Sequence, residues 1–181
     1  MAADDAAQEP PAIAPDGKDW TWVLTRPCDE CGFDPLSVRV EDVPELVRVN
    51  AAGWQDVLAG PDVAQRPRPD VWSPLEYACH VRDVLRLFDK RLHRMLDEND
   101  PLFANWDQDE TAVTGRYWEQ DPATVAAELA DAAAIVAASF AAVQADQWAR
   151  RGRRSDGAEF TVESFARYFA HDPVHHLTAD T

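Results

Sequence analysis

Lysine is almost missing from this 181-residue chain: only Lys18 and Lys90 carry it, and arginine supplies the remaining cations. Together they number 17 against 33 carboxylates, for a formal net charge of −16 and a pI of about 4.5. So acidic a surface repels phosphate backbones and anionic headgroups, which argues against nucleic acid and membrane as partners and favours a soluble protein; the partner expected is a small-molecule substrate. Long hydrophobic runs are lacking too, and nothing reads as an uninterrupted apolar stretch of the roughly 20 residues that span a bilayer. The first residues show neither the basic nor the apolar region of a secretory signal. Cysteine is scarce and odd in number, at Cys28, Cys31 and Cys79, so no disulfide framework is expected. These absences together predict a cytoplasmic protein. What is abundant is apolar: hydrophobic residues make up 46% of the chain, enough for one domain with its own core.

Residues 1–18 contain little to bury and several helix breakers, and are predicted to be a disordered tail ahead of one domain over 19–181. Trp20-Thr21-Trp22-Val23-Leu24 reads as an extended segment lying on that domain. Four helices follow. Asp42-Val43-Pro44-Glu45 offers an N-cap, an early proline and a capping-box Glu, with Gly60-Pro61 as the stop. Ser73-Pro74-Leu75-Glu76 is a second capping box and opens a helix to about Asp97. Asp121-Pro122 opens a third, rich in alanine, to about Asp146. The fourth starts near Thr161. Residues 98–120 read as a long loop that mixes aromatics and carboxylates, with Trp106, Tyr117 and Trp118 either lining a pocket or capping the bundle end. Ser155-Asp156-Gly157 reads as a turn between two short extended arms. The Arg150, Arg151, Arg153 and Arg154 run is either a solvated loop or a dock for an anionic group.

The residues that carry chemistry are histidines and cysteines. His171 and His175 stand four apart, which on a helix places their rings about 40° apart on one face. Such a pair can grip a metal ion, given a third ligand. His80 is the candidate: it lies about 80° from the centre of its helix's apolar stripe, at the edge of the core, whereas His93 lies about 140° away and faces water. Three imidazoles would leave a coordination position open, the pattern of a catalytic site. His176 sits about 100° further round and is expected outside the ligand set. Pro173 removes a helical hydrogen bond and is expected to kink the axis between the two ligands. Cys28-x-x-Cys31-Gly32 is either a turn packed on the domain or half of a zinc knuckle completed from elsewhere. A redox dithiol would need a thioredoxin-like strand–helix context, which the pattern lacks. Cys79 falls on the outer face of its helix, where the N-terminal segment could cover it.

Trp72-Ser73-Pro74-Leu75-Glu76-Tyr77-x-x-His80-Val81-Arg82-Asp83, with Tyr168-x-x-His171-Asp172-x-x-His175-His176 far downstream, resembles the DinB/YfiT-like superfamily. The lead-in Arg26-Pro27-Cys28-x-x-Cys31-Gly32-Phe33-Asp34 resembles an actinobacterial branch of it. The resemblance implies an all-α four-helix bundle with up-down-down-up topology. It further implies a divalent metal, zinc or nickel, on His80, His171 and His175. Family members that use it are S-transferases or isomerases working with a low-molecular-weight thiol such as mycothiol, which would be the cosubstrate here. A metal-hydroxide hydrolase and a metal-binding stress protein without turnover are the rival readings. The exposed aromatics of such a bundle leave a homodimer open. The family name implies no DNA binding.

Overall fold

Helix starts are set by side chains that satisfy the first free backbone N–H groups. In the computed structural model, which describes residues 10–14 and 19–181, Ser73 and Glu76 form a reciprocal capping box at the start of α2 (Pro74–Asp97). Asp121 accepts from the Thr124 N–H at the start of α4 (Pro122–Ala141). Thr161 and Ser164 exchange hydrogen bonds at the start of α5 (Val162–Ala179). The first helix, α1 (Val43–Leu58), differs from expectation: a 3-10 turn over Val40–Asp42 leads into it, and Asp42 makes no cap bond. The reason is local: Arg39 takes both Asp42 oxygens at 3.0 Å, and Asp42 already has helical angles.

The helices α1 and α2 each pack on α4 and α5 more extensively than on one another. Their shared core holds Trp54, Leu85, Leu92, Leu129, Phe140 and Phe169. Phe88 stacks on Phe165 at 4.8 Å and on Phe169 at 5.1 Å, and Phe169 stacks on Phe140 at 5.3 Å. Each such pair adds about 0.5–1.5 kcal/mol beyond the area it buries. By length and composition α4 is apolar enough to cross a membrane, the one such helix among the described residues, which corrects the reading that no stretch comes close. Its alanines explain this: Val125, Leu129, Ala133, Val136 and Phe140 form a buried face against α1 and α2, while Glu128 and Asp131 break the run. It ends before Asp146 because Gln144 and Gln147 close a turn, with the Gln144 N–H donating to the Gln147 side chain at 2.8 Å.

The class is not purely α. Around the Ser155-Asp156-Gly157 turn, β2 (Arg151–Arg154) and β3 (Glu159–Thr161) pair antiparallel, and β1 (Leu102–Phe103) joins β2 in parallel, giving the order β1-β2-β3. Gly152 opposes Phe160 in this register, where a Cβ would stand 2.6 Å from Phe103 Cζ and 2.8 Å from Met95 Cγ. Within the loop before α4, Gln108–Thr114 forms a short helix, α3, capped by Asp107. The Trp20–Leu24 segment is a 3-10 helix, not extended. The Asp19 carboxylate holds the Thr21 N–H and hydroxyl, tightening the chain there and burying Val23. Of the predicted tail, residues 1–9 and 15–18 lie outside the described residues. In the 10–14 stretch, Pro11 O accepts from Arg66 Nη1 at 2.7 Å and Ile13 packs on the core.

Candidate metal centres

The helix α5 runs through Pro173 without ending, and Asn50 of α1 donates to the Pro173 carbonyl at 2.7 Å. The helical phase is therefore kept from His171 to His176, and two i, i+4 pairs lie side by side on it. One is His171 with His175. The other, displaced by one residue and so turned by about 100°, is Asp172 with His176.

The second pair faces α2. The His80, Asp172 and His176 donor atoms all lie within 4.8 Å of one another. His80 and His176 rings stand 4.8 Å apart, edge to face. His80 Nε2 lies 3.6 Å from Asp172 Oδ1, too long for a good hydrogen bond, whereas two ligands of one tetrahedral ion stand about 3.4 Å apart. Both His80 nitrogens and Asp172 Oδ1 are buried with no hydrogen-bond partner among the described residues. Orphaned buried polar atoms are costly, and a cation would satisfy them. His176 Nδ1 lies 2.8 Å from Asp180 Oδ2, which fixes its proton there and turns Nε2 towards Asp172. Burial by itself would raise the Asp172 carboxyl, but His80, His176 and His171 outweigh it and bring it down to about 2.

The first pair faces the N-terminal segment. His171 and His175 join Cys28 and Cys31, again with all donor atoms within 4.8 Å. Burial, then the neighbouring His175, pushes His171 down to about 4, and burial with His176 lowers His175 as well. Both imidazoles are therefore neutral at pH 7, with lone pairs to offer. Burial, with Cys28 beside it, holds the Cys31 thiol up at about 11.

The three histidines expected on one ion thus fall into two adjoining groups, His80 in one and His171 with His175 in the other. His176, expected outside the ligand set, stands beside His80 and Asp172: the same 100° step that takes it off the His171–His175 face turns it towards His80. Asp172-x-x-x-His176 is visible in the sequence as a second pair at ligand spacing, but only the packing of α5 on α2 shows which pair His80 meets. His93 is exposed, as expected. Cys79 is buried, and its cover is not the N-terminal segment but the Tyr117–Glu119 turn, which crosses that side of α2, with Gln120 Oε1 accepting from Cys79 Sγ at 3.5 Å.

A cavity of about 800 Å³ opens beside both groups. Asp172 and His176 line it together with His171 and His175, as do Trp20, Trp106 and Tyr168. Trp106 stacks flat on His80 at 5.4 Å and so covers it. Tyr117 instead is buried and donates to Asp83, away from the cavity wall. Two arginines also line the cavity, beside the carboxylates of Asp19, Asp107 and Asp156. Arg154 is tied to Asp156 at 2.8 Å and to the Tyr168 hydroxyl at 3.0 Å. Arg91 donates to Ala104 O and pairs with no carboxylate among the described residues, and burial lowers it to about 10. The rest of the arginine run is structural where it is bonded: Arg150 caps carbonyls of Met95 and Glu98, and Arg153 pairs with Asp100.

The sequence pattern of the DinB superfamily matches residues 44–179. The chain belongs to the DinB superfamily. A solved structure of similar fold is YfiT from Bacillus subtilis, described as a probable metal-dependent hydrolase with an unusual four-helix bundle topology. The two superpose with a TM-score of 0.69 at 16% identity, over 78% of this chain and 86% of that one. No curated protein matches the chain. Cys28 and Cys31 lie before the matched span.

Proposed function

We propose that this DinB-superfamily chain is a metal-dependent enzyme in which His80, Asp172 and His176 hold one divalent cation, zinc or nickel, at the cavity wall. The observation that carries this is the cluster of orphaned buried donors on His80 and Asp172 beside an open cavity. Two imidazoles and a carboxylate are a donor set of catalytic metal sites, and three protein ligands leave a position for a reactant. A cation there would lower the pKa of a thiol or water that reached it. Asp172 stays ionised throughout the neutral range, so it neutralises half of a dication's charge. Trp106 keeps water from the His80 ring. Arg91, which pairs with no carboxylate among the described residues, offers a cation to an anionic group of the substrate.

The finer reading is thiol-dependent S-transfer, with a low-molecular-weight thiol such as mycothiol as nucleophile and a small electrophile as acceptor. It rests on the resemblance of the histidine motifs, and the unpaired cysteines suit a reducing cytoplasm. A hydrolase is the second reading, favoured by the description of the Bacillus subtilis protein. The test is turnover of metal-loaded protein with an electrophile panel, with and without mycothiol. Conjugation that needs both thiol and metal, and vanishes in H80A, is expected. Turnover with water alone would replace transfer by hydrolysis. Metal binding without turnover in either arm would make the chain a binding protein.

A further inference from the structure

The other donor group differs in kind. It has four protein ligands, two sulfurs and two nitrogens, and no part in the reading above. Cys28 is 1% exposed, and His171 and His175 are 5% and 6% exposed. The Cys28 carbonyl accepts from the Gly32 N–H at 2.8 Å and the Cys28 N–H donates to Phe33 O at 2.8 Å, a tight loop in which Gly32 takes φ +74°. Only glycine adopts that angle without strain, and it turns both cysteines to one side. Cys28 Sγ lies 3.7 Å from His175 Nδ1. Zinc–sulfur and zinc–nitrogen bonds of ordinary length at a tetrahedral angle put the two ligands about 3.6 Å apart. The other nitrogen of His175 faces Glu30 at 3.4 Å, the carboxylate that an ion-binding imidazole usually has behind it. His171 Nε2 is buried with no partner among the described residues. Trp20 and Phe33 close over the His171 ring at 5.5 and 5.6 Å.

We propose that Cys28, Cys31, His171 and His175 bind a structural zinc ion that pins the N-terminal segment to α5. Four protein ligands fill a tetrahedral zinc and leave no position for a substrate. Both thiols lose their protons to solvent on binding, and two thiolates with two neutral imidazoles leave the site without net charge. The need for a staple is visible in the chain: between Leu24 and Val40 it makes only turns, and it must hold Trp20 and Thr21 in place as cavity wall. One ion therefore shapes the pocket while its neighbour serves the reaction.

Cobalt titration of the full-length metal-free protein tests this without any variant. Tetrahedral ligand-field bands with a thiolate-to-cobalt charge-transfer band in the near ultraviolet are expected. Zinc content of reconstituted protein should fall by one equivalent in C28S and C31S, and the charge-transfer band should persist in H80A, which removes only a ligand of the other ion. Loss of the band in H80A, its absence from the wild-type titration, or unchanged zinc content in soluble C28S would each overturn the proposal. Because H80A and C28S report on different ions, failure of this site and failure of the enzymatic reading are told apart.

Discussion

Glu76 shows how much one residue can carry. It is 1% exposed, caps α2 by accepting from the Ser73 N–H at 2.8 Å, and pairs with Arg66 at 2.5 Å. Removing one member of a buried pair leaves the other charge uncompensated, which costs about 3–5 kcal/mol. Glu76→Ala should lower the urea midpoint accordingly, while Arg39→Ala at an exposed pair should leave it nearly unchanged. Equal losses for the two would show that burial does not set the scale here. The capping box was legible in Ser73-Pro74-Leu75-Glu76, but Arg66 as its partner was not, since a charge pair across a breaker-rich loop has no fixed spacing.

Elements are held where they are by single contacts between them. The α5 helix keeps its phase past Pro173 while α1 supplies a donor to the Pro173 carbonyl. Asn50→Ala leaves that buried oxygen without its partner, at a cost of about 1–3 kcal/mol. Chemical denaturation should show it, and a change below 0.5 kcal/mol would mean water replaces the amide. The small sheet depends on a different device, close approach at Gly152. Gly152→Ala must displace both Phe103 and Met95, and overpacking of this kind costs about 1–3 kcal/mol. A neutral result would show that the Phe103 and Met95 side chains move aside freely. The hairpin around Ser155-Asp156-Gly157 could be read from turn chemistry, but β1 could not, because two residues carry no period. The same holds for the 3-10 turn at Trp20–Leu24, whose apolar residues suit a strand and whose geometry follows from Asp19.

At the scale of the molecule, acid should unfold the metal-free protein in stages. His171 is held at about 4 and His175 is also lowered, against an ordinary 6.5, so the unfolded chain binds more protons than the folded one in that window. Stability should fall as pH drops from about 6.5 towards 4. Asp172 acts below that: its contribution is present above its unfolded value of 3.8 and is lost as pH falls to about 2. Melting temperatures from pH 7.5 to 4 should decline, and a flat profile would contradict the neutral, buried state of the two imidazoles. Zinc should steepen the decline, since protons compete with it for the same nitrogens.

The sequence by itself determined the four long helices, their caps, the acidic surface and the residue types able to hold metal, because periodicity, capping and charge are local properties. It also displayed both ligand pairs of α5, since i, i+4 spacing is local too. Which pair meets His80 and which meets Cys28 and Cys31 was decided only by tertiary structure. A step of one residue turns a helix by about 100°, so the assignment depends on how α5 is rotated against α2 and the N-terminal segment. That rotation goes with the packing of Phe165 and Phe169 on Phe88 and of Phe169 on Phe140, two side chains of other helices that are distant in sequence from the α5 donors.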